Sequence, residues 1–113
     1  MAKHRIRYSQ DAVDDLDSIF DYISEDNRSA AAGMLKRQEE LILQLADTPR
    51  IGAVLPTNDL SLVEPGYRRI VVKPYLVFYR LGTDEVFIAR VLHSRQDWIN
   101  LVFDGGYDKY EVD

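Results

Sequence analysis

GYRRIVVKPYLVFYRLGTDEVFIARVLHSRQDW, residues 66–98, is the stretch that decides the fold. Two turn signals cut it into three apolar runs. Lys73-Pro74 breaks it once, and Gly82-Thr83-Asp84-Glu85 has the chemistry of a hairpin turn. The runs 68–72, 75–81 and 86–92 are rich in β-branched and aromatic residues and read as three consecutive strands of an antiparallel meander. The last run puts Val86, Ile88 and Arg90 on one face and Phe87, Ala89 and Val91 on the other. Both faces are largely apolar, which suits a central strand covered on each side. Arginines recur at 68, 69, 80, 90 and 95 with aromatic residues between them, and the stretch closes on His93 and the only tryptophan, Trp98.

Upstream, Arg5-Ile6-Arg7-Tyr8 alternates polar and apolar as a short strand does. Ser9 stands where a helix N-cap belongs, with Asp11 in the first turn. Val13, Leu16, Phe20 and Ile23 then fall at helical spacing, with Ala12 and Ile19 reinforcing them and Asp14, Asp15, Asp17 and Asp21 on the other faces. This predicts an amphipathic helix ending near Ser24. A polar link, with Asn27 suited to a turn, leads to a second helix over about 29–46. Its stripe is Ala31, Met34, Leu35, Ile42 and Leu45, with Leu41 at the edge. So short a link makes the two helices antiparallel neighbours. Residues 48–65 are irregular, rich in proline, and tied down by Leu60 and Leu62. A loop of that length inside one domain can be functional. Downstream, Ser94 and Asp97 read as a capping box for a last helix over 95–103. The order is β-α-α-β-β-β-α, an α+β domain over 1–103, followed by an acidic tail, 104–113, that is disordered, folds back on the basic sheet or meets a partner.

The totals bound the function. The chain has 113 residues, 46% hydrophobic and 29% charged, which suits one core. It has no cysteine, so it has no disulfide, thiolate nucleophile or Cys-based zinc site. Its two histidines lie far apart in sequence, so no metal or other cofactor is expected. No apolar run reaches the ~18 residues of a membrane span, and the N-terminus MAKHRIRYS lacks the apolar segment of a secretory signal. A cytoplasmic location is expected. The net charge of -5 is uneven. Residues 1–47 hold 6 Lys+Arg against 10 Asp+Glu, residues 48–103 hold 7 against 5, and residues 104–113 hold 1 against 4. The sheet half is thus mildly basic, too thinly so for a strong nonspecific grip on nucleic acid.

One strand, a helical hairpin and a three-stranded meander resemble the RelE/ParE superfamily, the toxins of bacterial type II toxin–antitoxin modules. The resemblance is carried by SQDAVDDLDSIFDYI at 9–23, GYRRI at 66–70, YLVFYRL at 75–81 and ARVLHSRQDW at 89–98, and it spans about residues 5–103. The long helical hairpin and the RVLHSRQD ending are more similar to the ParE branch. That resemblance implies a toxin that inhibits DNA gyrase by binding, without a catalytic set. It would be neutralised by a small cognate antitoxin in a hetero-oligomer, with no membrane and no specific DNA binding of its own. The RelE branch implies instead a metal-free, ribosome-dependent mRNA endonuclease. Its chemistry needs a proton acceptor and cations facing the developing phosphorane charge. That branch commonly carries an arginine after the middle-strand tyrosine, where this chain has Leu76 after Tyr75. It also commonly ends on Tyr or His, where this chain has Leu101-Val102-Phe103. Arg95 matches an arginine position and Arg69 matches a lysine. A non-toxic protein of the same fold is the third reading.

The candidate residues follow from these readings. Target contact is expected from His93, Arg95 and Trp98, and a nuclease would use His93, Arg95 and Arg69. Antitoxin contact is expected from Arg68, Arg80, Arg90, Leu16 and Phe20, because an arginine in an apolar strand needs a carboxylate partner or an open groove. Arg68 and Arg69 are adjacent on a strand and point to opposite faces. Arg95, placed in the first turn of a helix, would oppose the macrodipole, which favours a functional role. The bland alternatives are a structural hydrogen-bonding role for His93 and packing for Trp98, Tyr75 and Tyr79.

Overall fold

The computed structural model describes residues 3–55 and 66–102. Its elements are β1 (Arg5–Tyr8), α1 (Gln10–Ser24), α2 (Arg28–Gln44), β2 (Ala53–Val54), β3 (Tyr67–Val72), β4 (Tyr75–Leu81), β5 (Glu85–His93) and α3 (Trp98–Val102). They form an α+β fold around one five-stranded sheet in the order β1-β5-β4-β3-β2. The meander β3-β4-β5 is antiparallel, as its turns predict. β1 joins the far edge in parallel with β5, placing Arg7 opposite Phe87. β2 is a two-residue strand within the stretch expected to be irregular, paired with Arg68 and Arg69. The expected anchors Leu60 and Leu62 and the tail 104–113 lie outside the described residues.

Capping fixes the helices. Ser9 has extended backbone, and its hydroxyl accepts from the Ala12 N–H at 2.9 Å and donates to the Ala89 carbonyl at 2.7 Å. One side chain thus starts α1 and ties it to β5. Asn27 caps α2 by accepting from Ala30 N–H at 2.9 Å, so the helix begins one residue before the predicted 29.

The sheet has two covered faces. Under α1 and α2 lie Val72, Tyr75, Val77, Tyr79, Val86, Ile88 and Val91, packed with Ala12, Leu16, Ile42 and Leu45. On the other face Leu55, Leu76, Phe78 and Leu92 are covered by Trp98, Ile99, Leu101 and Val102 of α3. β5 does not alternate as expected. The register slips opposite Phe78/Tyr79, where Tyr79 pairs with Ile88 and Phe78 with Arg90. Ala89 is the extra residue of a bulge. Beyond it Val91 joins the face of Val86 and Ile88, while Arg90 moves to the α3 face.

The last helix also starts later than its capping-box signal. The Ser94 N–H donates to the Pro74 carbonyl at 2.9 Å, and the His93 N–H donates to Gln96 Oε1 at 2.7 Å. Residues 94–96 are held in a turn against the β3–β4 connection. The Leu101 N–H donates to the Asp97 carbonyl at 3.1 Å, which makes Asp97 the residue ahead of the helix. Arg95 therefore lies in that turn and opposes no helix dipole.

A polar junction holds β2 and the segment before it to the sheet. The Tyr79 hydroxyl, fully buried, donates to the Pro49 carbonyl at 2.8 Å and accepts from the Gly52 N–H at 2.9 Å. Arg68 Nη1 donates to the carbonyls of Arg50 (3.0 Å) and Gly52 (2.8 Å). Tyr79→Phe leaves Gly52 N–H and Pro49 C=O without their partner and is expected to cost about 1–3 kcal/mol at pH 7. Burial pushes the Tyr79 hydroxyl above its ordinary value, against smaller opposite pulls from Gly52 and Arg68. In the unfolded chain that proton leaves near pH ~10. The neutral hydroxyl's stabilisation is therefore complete below that pH and lost as pH rises through the higher folded value. Urea unfolding at pH 7 and at alkaline pH should show a smaller stability loss with pH in Tyr79→Phe than in the parent.

Candidate functional site

The register of four strands assembles a row of side chains on the α3 face that no single motif signals. Arg7 of β1 pairs with Phe87 of β5, Phe87 with Arg80 of β4, and Arg80 with Tyr67 of β3. The Arg7 guanidinium carbon sits 5.9 Å from the Phe87 ring centroid, and that of Arg80 sits 5.4 Å from Phe87 and 5.9 Å from Tyr67. Cation and aromatic ring alternate across the sheet, each contact worth ~0.5–1 kcal/mol at an exposed site. Glu85 accepts from Arg7 at 3.0 Å and Arg5 at 3.4 Å. Arg80 is exposed and has no ion pair among the described residues. Arg69, one step along on the same face, pairs with Phe78 in the register.

A second concavity of about 520 Å³ opens on the opposite face, between α1 and the ends of β4 and β5. Ile19, Tyr22, Tyr75, His93 and Gln96 line it. His93 meets the edge of Tyr75 with ring centroids 5.5 Å apart. Its Nδ1 accepts from the Arg95 N–H at 3.1 Å. Burial, and more weakly Tyr22, raises the Tyr75 hydroxyl above its ordinary value.

The expected site residues divide between these two faces. His93 faces α1. Trp98 stacks on Phe78 on the other side, 5.3 Å between centroids and 24° between planes, so the expected target cluster of His93, Arg95 and Trp98 does not converge on one patch. The expected nuclease set does not converge either, since Arg69 lies on the α3 face and His93 on the α1 face. Leu76, where a nuclease arginine would stand, is buried beneath α3. Arg95 is exposed in its turn.

Among the expected antitoxin contacts, Arg80 is open and Phe20 is half-buried on α1. Three are already engaged within the chain. Leu16 is a core residue, only 9% exposed. Arg68 staples residues 50–52 to β3. Arg90 donates from Nε and Nη2 to both oxygens of Asp15, at 2.8 and 2.9 Å, and from Nη1 to the Leu101 carbonyl at 3.0 Å. The strand arginine does have the carboxylate partner that its burial demands, on α1. The sequence reading missed Arg7, Phe87 and Tyr67 as site residues. Strand alternation gives the face of each, but their row exists only once β1 is known to pair with β5.

A mostly antiparallel five-stranded sheet, backed by a capped helical hairpin, defines a small α+β domain whose sheet has a basic, aromatic open end. Residues 6–98 match the family described as ParE toxin of type II toxin-antitoxin system, parDE, and the chain belongs to that family. It is 37% identical to Toxin ParE3 of Caulobacter vibrioides over 84 residues, covering 74% of this chain and 79% of that protein. Its fold is similar to the solved chromosomal ParDE toxin–antitoxin system of P. aeruginosa, with TM-score 0.65 and 22% identity over 80% of this chain and 96% of the other. It is similar in the same degree to a mutant of E. coli toxin RelE in the free state, with TM-score 0.64 and 13% identity over 94% and 98% of the two chains. The fold is thus shared by both branches and does not choose between them. No helix among the described residues is long and apolar enough to cross a membrane.

Proposed function

We propose that this toxin acts in the cytoplasm by binding and arresting DNA gyrase, without covalent chemistry, and that a cognate antitoxin neutralises it in a hetero-oligomer. The observation that carries the choice is the dispersal of the nuclease groups. A general base at His93 and a cation at Arg69 on opposite faces of one sheet cannot address the same phosphate. The match to the ParE toxin family supports the gyrase reading over the ribosomal one. We assign target contact to Arg95 and antitoxin contact to Arg80, because each presents an exposed guanidinium with no ion pair among the described residues.

The test is a pair of assays on purified protein. Gyrase supercoiling should stop at stoichiometric toxin, while mRNA in a translation extract stays intact. Arg95→Ala should weaken the inhibition, and Arg80→Ala should weaken antitoxin binding without changing the inhibition. Codon-positioned cuts in mRNA with normal supercoiling would establish the nuclease reading instead. No effect in either assay would make this a non-toxic member of the fold.

A further inference from the structure

We propose that the acidic segment 104–113 of this chain docks in cis on the cation–aromatic row of Arg7, Phe87, Arg80 and Tyr67. Charge supplies the first argument. Arg5, Arg7, Arg69 and Arg80 share this end of the face, and Glu85 is their only ion-pair partner among the described residues, already divided between Arg5 and Arg7. The segment DGGYDKYEVD carries Asp104, Asp108, Glu111 and Asp113 against Lys109, with Tyr107 and Tyr110 between them. Carboxylates would give the guanidinium groups ion-pair partners beyond Glu85, and phenol rings would extend the ladder that Phe87 and Tyr67 begin.

Position supplies the second argument. Val102, the last residue of α3, packs against the cluster of Leu55, Leu76, Phe78 and Leu92, and Tyr67 of the row packs against the same cluster. The chain therefore leaves α3 on the face that carries the row, next to one end of it. Four strands at ~4.8 Å spacing span roughly 15 Å. Eleven residues can extend to about 36 Å, so the reach is ample even with a turn at Gly105-Gly106. A tethered segment of this length is present at an effective concentration of order millimolar, so a few charge-assisted contacts populate the docked form. The same docked form would compete with an acidic partner for Arg80, but the cis contact does not depend on the function proposed above.

The chain has no cysteine, so the full-length protein can be labelled at one site through Asp113→Cys carrying a nitroxide. Paramagnetic broadening should remove half or more of the amide intensity at Arg7, Arg80 and Phe87 and spare α2. It should fade at about 1 M salt, where the Debye length is ~3 Å. It should vanish in Arg80→Glu and return when Asp108→Arg and Glu111→Arg are added. If Arg80→Glu fails to fold, Arg80→Gln should give a partial loss. Broadening that is uniform, falls on α2, survives Arg80→Glu or grows with protein concentration would overturn the proposal.

Discussion

Replacing Asp15 by alanine is expected to lower the unfolding free energy by about 3–5 kcal/mol, because it strands a largely buried guanidinium. Asp15 and Arg90 side chains are 13% and 19% exposed, and their bond is bidentate. Asp15 Oδ2 also accepts from the Val91 N–H at 2.9 Å. That contact lies beyond the end of the β1–β5 ladder at Tyr8, where the edge of β5 would otherwise be unpaired. One carboxylate thus neutralises the cation, closes the strand edge and clamps α1 to the sheet. Domains of this kind are stable by only ~5–15 kcal/mol, so the variant should approach unfolding in mild urea. Asp15→Asn keeps an acceptor for Val91 and should lose less. Asp15→Leu combined with Arg90→Met removes both charges together and should recover most of the loss. Urea midpoints across this cycle check the claim. Additive single losses would show that the pair contributes no coupling.

The same pair marks the limit of what the sequence discloses. Local signals held up where one residue decides one feature. Ser9 caps α1, Pro74 turns β3 into β4, and residues 82–84 turn β4 into β5. Non-local features were not legible. The demand of Arg90 for a carboxylate is visible in an apolar strand, but five aspartates line α1, and only the docking of α1 selects Asp15. The Ala89 bulge has no turn residue to announce it, and it moves Arg90 and Val91 to new faces. The Ser94–Asp97 signal named a real helix but set its start too early, because residues 94–96 are bound to the Pro74 carbonyl and to His93. Gln38 shows the converse error. It falls at helical spacing between Leu35 and Ile42 and is 1% exposed, although its polarity kept it off the predicted stripe. Its Nε2 has no hydrogen-bond partner among the described residues, so position in the stripe outweighed the cost of burying an amide. The candidate site was legible only in part, as exposed arginines, because its aromatic partners, Phe87 and Tyr67, come from two other strands.

Gly52→Ala is expected to cost about 3 kcal/mol, at the upper end for overpacking. A Cβ built on Gly52 would meet Tyr79 Oη at 2.5 Å and the Arg69 carbonyl oxygen at 2.7 Å. Neither neighbour can yield cheaply. Tyr79 is 0% exposed and holds the Pro49 carbonyl, and Arg69 O belongs to the backbone of β3. Relief must come from moving residues 50–54 away from the sheet, which breaks the Gly52–Tyr79 and Arg68–Gly52 hydrogen bonds together. At ~4–8 °C per kcal/mol, the melting point should fall by roughly 12–24 °C. Tyr79→Phe in the same chain removes the hydroxyl clash and leaves those with the Arg69 carbonyl and with the ring carbon Cε1, at 2.8 Å. It should therefore restore only part of the loss, and full restoration would mean that these remaining contacts are harmless. The displacement also has a functional reading. β2 is paired to β3 at Arg68 and Arg69, so its departure frees the edge beside Arg69 and Tyr67 while leaving Arg95 in its distant turn. At a temperature where Gly52→Ala remains folded, a partner that uses the Arg80 face should bind it more weakly, while inhibition that depends on Arg95 should be retained.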